Sequence, residues 1–181
     1  MEALVKAIRS IDRLNDLVGR TVAWLTLATV MVCAAVVVLR YAAGTGFVWM
    51  QELYVWTHAL TFLLAAGFAF MRNAHVRVDI FYAPATPRAK AWIDLFGVTF
   101  LLLPWLILVA WAGWSYAASS FAIREESVQN NGMPALYVLK ASIVVFCVLL
   151  GLQGLAWIGR CVLTLSGREA PKAAGVSGPL G

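Results

Sequence analysis

LFGVTFLLLPWLILVAWAGWSYAASSFAI, residues 95–123, runs for 29 positions without one Lys, Arg, Asp or Glu. A soluble surface helix carries a polar face, so a run this long that is apolar all round reads as a membrane span. Three more charge-free runs, 21–39, 53–71 and 141–159, hold 19 residues each. At roughly 1.5 Å per residue such a run reaches about 28 Å, close to a hydrocarbon core of about 30 Å. A backbone in lipid must satisfy its own hydrogen bonds, which makes each run a helix. No segment alternates with the period of two that a barrel strand requires. The 95–123 run would span about 43 Å, so it is expected to tilt, project from the membrane or kink at Pro104.

Composition points the same way. Of 181 residues, 62% are hydrophobic and 13% charged, with a mean hydropathy of +0.81. A soluble domain is about 45–50% apolar and about 25% charged, and one core of this size could not hide the excess. The fold class is therefore all-α integral membrane, with the lipid bilayer as its solvent. The net charge of +5 does not point to nucleic acid, because no basic stripe lies away from the membrane ends. Cys33, Cys147 and Cys161 sit in or beside apolar runs at spacings that match no metal, haem or disulfide framework.

Direction follows from Lys and Arg. Eleven of them lie before the first span, between the second and third, or after the fourth; Arg40, Arg124 and Lys140 lie on the other side. The positive-inside rule places both termini in the cytoplasm. Trp24, Trp49, Trp92 and Trp157 stand near span ends, where interfacial anchors are expected. The expected organisation is one four-helix membrane domain over 1–165, with spans at 21–43, 49–71, 91–121 and 136–161. Leu4, Ile8, Ile11, Leu14 and Val18 recur every three or four residues between charges, which reads as an amphipathic interfacial helix over 2–18. It is able to lie on the inner membrane surface or to dock on another helix; it is too charged for the leading region of a signal peptide. The Gly/Ala/Pro/Ser-rich stretch 166–181 reads as a flexible tail.

The residues offer little chemistry of their own. No HExxH, GxSxG or glycine-rich phosphate loop is present, so no catalytic residue is assigned. His58 and His75 are separated by about 25 Å if helical and cannot clamp one haem; no cofactor or metal is expected. Glu52 starts the second span and Arg40 ends the first, with Gly44 and Gly46 between them. Ionisable groups at a membrane usually pair, which favours an Arg40–Glu52 bridge, with a subunit contact or proton relay as alternatives. The relay would need further acids at depth, and there are none. Across 72–80, His75, Arg77 and Asp79 alternate with Val76, Val78 and Ile80, so the polar groups share a face if extended. If helical, His75 and Asp79 meet instead. Gln153, polar within the fourth span, is expected to hydrogen-bond another helix. The polar stretch 124–134 reads as a connector and as the largest outward surface.

Taken in order, Arg40-Tyr41, Trp49-x-Gln51-Glu52-Leu53, Arg72-x-x-His75-x-Arg77-x-Asp79, the long third span and Gly132-x-Pro134 resemble the small membrane subunit of tripartite ATP-independent periplasmic (TRAP) transporters. The resemblance covers roughly residues 15–160. It implies a heteromeric system in which a periplasmic solute-binding protein captures an organic acid and a large multi-span membrane subunit moves it with sodium ions. The small subunit, in the bacterial inner membrane, would brace the large one. Arg40, Trp49, Gln51, Glu52, Arg72, His75, Arg77 and Asp79 then carry over as structural or interface positions, and Gln153 joins them on its own polarity. Glu125, Glu126, Gln129, Asn130 and Asn131 become candidates for docking the binding protein. A membrane anchor of a redox complex and a self-contained small exporter are the competing readings.

Overall fold

The computed structural model describes residues 2–75 and 82–171. Among the described residues there are only helices and connectors, and four helical stretches are long and apolar enough to cross a membrane: Glu2–Ala42, Val48–Met71, Pro87–Ala122 and Leu136–Leu165. The first is one helix, α1 (Glu2–Ala42), about 60 Å long by its rise per residue. The amphipathic segment therefore continues into the first span without a break. No proline interrupts α1, Glu2 lies in its first turn and Arg40 in its last, each complementing the helix dipole. One stripe is buried, Ile8, Asp12, Asn15, Gly19 and Val22, at helical spacing. Gly19 is required there: a β-carbon would overlap the Phe68 ring.

The second crossing consists of α2 (Val48–Leu64) and α3 (Ala66–Met71), joined at Ala65. It lies against α1, and a hydrogen bond of 2.8 Å joins the hydroxyls of Thr29 and Thr57 across the pair. The third crossing begins at α4 (Pro87–Phe96), whose start is dictated locally. Thr86 caps it by accepting from the Ala89 amide at 3.3 Å, and a proline occupies the first turn, where its missing N–H costs nothing. A π-helical stretch, Gly97–Leu102, leads into α5 (Leu103–Ala122). Pro104 lacks an amide N–H and its ring would strike the carbonyl four residues earlier. Widening the preceding turn lets the helix pass the proline without ending.

The last crossing, α6 (Leu136–Leu165), is the axis of the domain. Half of its most apolar window is buried, against 6–11% for the other three. Ala91, Val98, Trp157 and Cys161 form one cluster on it; Leu106, Cys147 and Leu150 form another; Ile8, Ala156 and Leu163 form a third. Gly67 of α3 packs where a β-carbon would meet Asn15 and the Leu149 carbonyl oxygen, the latter at 3.1 Å. Gly113 and Ala117 are buried within the chain, Gly113 against Ile143. Trp24, Trp49 and Trp92 are exposed, whereas Trp157 is 6% exposed: it is a core residue and not an interfacial anchor.

Candidate functional site

The polar side chains gather at the two ends of the bundle. The end carrying the termini holds a buried network between α1 and α6. Arg160 pairs with the Asp12 carboxylate, the two side chains being 2% and 6% exposed. Gln153 donates to Asp12 at 3.1 Å and accepts from Asn15 at 2.9 Å. The α6 C-terminus then turns through Gly167 at φ +72°, with the Arg168 amide bonded to the Leu163 carbonyl, a left-handed helix end suited to glycine. This brings the Pro171 carbonyl over Arg160, which donates Nε–H to it at 3.2 Å. Beside this network Asp16 accepts from Arg20 at 2.7 Å and from Arg72 at 3.3 Å, while Arg72 also lies over the Phe68 ring. Asp94 on α4 accepts from Tyr82 at 2.9 Å and from the Trp157 indole at 3.2 Å. Three carboxylates thus tie α1 to α6, α1 to α3, and α4 to α6.

Glu52 organises the opposite end. Its carboxylate accepts from the Ser127 hydroxyl and from the Met133 amide, reaching across 75 and 81 residues. The two arms of the 123–135 connector are further joined by Ser127 N–H to the Met133 carbonyl and Leu136 N–H to the Glu125 carbonyl. Arg124, Asn131 and Ala135 hold positive φ of 48°, 59° and 65°, a conformation unfavourable for Arg and Ala and sustained only where surrounding contacts over-determine it. Gly132 sits so close to Glu52 that a β-carbon would stand 2.8 Å from Oε2. Lys140 pairs with Glu125 and covers the Tyr116 ring at 4.0 Å. The ammonium donating to Glu125 holds that carboxyl below its ordinary value.

The expected Arg40–Glu52 bridge is not formed. Arg40 is exposed and, among the described residues, in no ion pair, because Glu52 faces the connector rather than the α1–α2 turn. Trp49 is exposed beside Phe47, and Gln51 is half-buried. Gln153 bonds another helix as expected. His75 is exposed with its ring near Phe70; Arg77 and Asp79 lie outside the described residues. Of the docking candidates, Glu126, Gln129, Asn130 and Asn131 are exposed, but Glu125 is committed to Lys140. Sequence reasoning missed Asp12, Asn15, Arg160, Ser127 and Lys140 as partners. A signal existed for some: Asp12 and Asn15 share a helix face one turn apart, and Gln153 and Arg160 share one seven residues apart. Among the described residues no three His, Cys, Asp or Glu side chains could hold a metal.

Against known proteins, the chain matches the family model described as tripartite ATP-independent periplasmic transporters, DctQ component, over residues 28–164. No curated protein and no solved structure matches it.

Proposed function

The chain belongs to the DctQ component family of TRAP transporters, and from that membership we propose a scaffold that braces the large transport subunit of a sodium-coupled organic-acid importer. In the proposed orientation both termini are cytoplasmic, in the inner membrane, and the 123–135 connector is periplasmic. One observation carries the reading. The buried charged and amide side chains of the bundle are spent on holding its helices together, while three of its four crossings leave about nine-tenths of their apolar windows unburied. Such a body suits lateral packing against another membrane protein, where close van der Waals contact drives association. The connector, held by Glu52 and presenting Glu126, Gln129 and Asn130, is a small polar surface suited to a weak, releasable encounter with the solute-binding protein. No observation favours a redox anchor or a self-contained exporter.

The test is reconstitution. The large subunit with its binding protein is placed in vesicles with and without this chain, and solute uptake is followed under a sodium gradient. Uptake that needs this chain, together with co-purification of the two membrane subunits in mild detergent, supports the scaffold. Full uptake by the large subunit alone, or uptake by this chain alone, removes it.

A further inference from the structure

Between the N-terminal turns of α1 and the end of α6 lies an open groove. Val5 and Leu163 supply its apolar part; Lys6, Arg9 and Arg168 bring cations to it, and Glu2 and Glu169 bring carboxylates. Among the described residues none of these five charged groups is in an ion pair, although Glu2 and Lys6 stand four apart on one helix, where such pairs commonly form. The depth is informative. The charge-free run of α6 ends at Gly159, and Leu163 lies one turn further, about 6 Å along the axis. That is the headgroup layer, which occupies the outer several ångströms of a bilayer about 40–45 Å thick. Nearer the membrane centre on α6, Leu155 and Val162 are 54% and 44% exposed and, seven residues apart, share one stripe of the helix.

We propose that this groove binds one glycerophospholipid whose headgroup joins a phosphate to a primary ammonium, an ethanolamine phospholipid. Lys6, Arg9 and Arg168 surround the phosphate, as cations do in charge-assisted recognition of anions. Glu2 and Glu169 accept from the ammonium, which offers three N–H donors. The acyl chains lie along Leu155 and Val162. The mixed charge selects this class. A purely anionic headgroup would leave two carboxylates beside a negative ligand, and a choline headgroup has no N–H for them. The inference needs only the membrane-spanning fold and is independent of the transport reading.

The full chain, purified in mild detergent and stripped of lipid, is titrated with dioleoyl lipids bearing ethanolamine, glycerol or choline headgroups, and binding is read by native mass spectrometry. The wild type is expected to hold the ethanolamine lipid about tenfold more tightly than the choline lipid, a difference within reach of a few charge contacts near the surface. Lys6→Gln with Arg9→Gln and Arg168→Gln abolishes that tight binding. Glu2→Gln with Glu169→Gln brings the ethanolamine lipid down to the level of the glycerol lipid. Because all five side chains are exposed, unchanged melting temperatures certify the fold of each variant. Equal retention by the wild type and the triple variant, or preference for the glycerol lipid unaffected by the two glutamates, overturns the proposal. So does binding that appears only when residues 172–181 are removed, which would make the chain's own end the occupant. Displacement by glycerophosphoethanolamine without acyl chains would show a soluble-phosphate site instead.

Discussion

Asp12 and Glu52 are both carboxylates at the edge of an apolar bundle, yet they are used in opposite ways. Asp12 meets a full positive charge and a side-chain amide, all from helices and all buried. Glu52 meets no charge; it gathers a hydroxyl and a backbone amide from an irregular connector. The first arrangement locks two helices in register, because each partner is expensive to leave alone in a dry site. The second shapes a loop, because every residue but proline offers a backbone N–H and a carboxylate can take two donors at once. One end of the protein is therefore built for cohesion and the other for a defined surface.

The sharpest test of that contrast is Asp12. Asp12→Ala leaves Arg160 buried and unpaired and is expected to cost about 3–5 kcal/mol, whereas Asp12→Leu with Arg160→Met should recover most of it. Detergent-phase unfolding followed by circular dichroism reads both. Equal loss in the single and double variants would mean that charge pairing is not what holds α1 to α6.

Glu52→Ala is the counterpart. Losing hydrogen bonds to a charged acceptor is worth about 1.5–3 kcal/mol each when buried, and less here because Glu52 is half-exposed. The expected readout is local: faster hydrogen exchange and protease cleavage within 124–135 with the α1–α6 contact untouched. Glu52→Gln, still an acceptor, should give a smaller change, and Gly132→Ala should mimic Glu52→Ala because its β-carbon would collide with Ser127 and crowd the carboxylate that Ser127 bonds. Global unfolding by Glu52→Ala would erase the distinction between the two ends.

Acid should loosen the connector end. Because pairing with Lys140 depresses the Glu125 carboxyl below its ordinary 4.5, the contribution of that pair is complete above this value and is lost as pH falls through the lowered one. Protease sensitivity of the connector measured from pH 6 down to pH 3 should rise only in the acid range, and Glu125→Gln should flatten the curve. The smallest structural effect belongs to Glu126→Lys, an exposed change expected to alter stability by about 0.5 kcal/mol or less. If the connector docks a binding protein, uptake in this variant falls at low binding-protein concentration and recovers when that concentration is raised. An unchanged dependence would leave the loop as a connector.

The four crossings, the absence of strands among the described residues and the family were legible in the sequence. Length, hydropathy and the bilayer's demand for internal hydrogen bonding act on each segment separately, so they need no knowledge of neighbours. Even Gln153 could be read as an interhelical donor, since a lone amide in lipid has nowhere else to turn. Partner choice was not legible. Arg40 and Glu52 are near in sequence and flank one turn, and that nearness suggested a bridge. Glu52 instead faces Ser127 and Met133, a choice made by the rotation of α2 about its own axis and by the path of a connector dozens of residues away. Asp12 and Arg160 are 148 residues apart and meet only because α6 runs through the centre of the bundle. The sequence alone determined which segments enter the membrane; tertiary packing decided which charges enter with them, because the desolvation of a charge is offset by a partner in space and not by its neighbour along the chain.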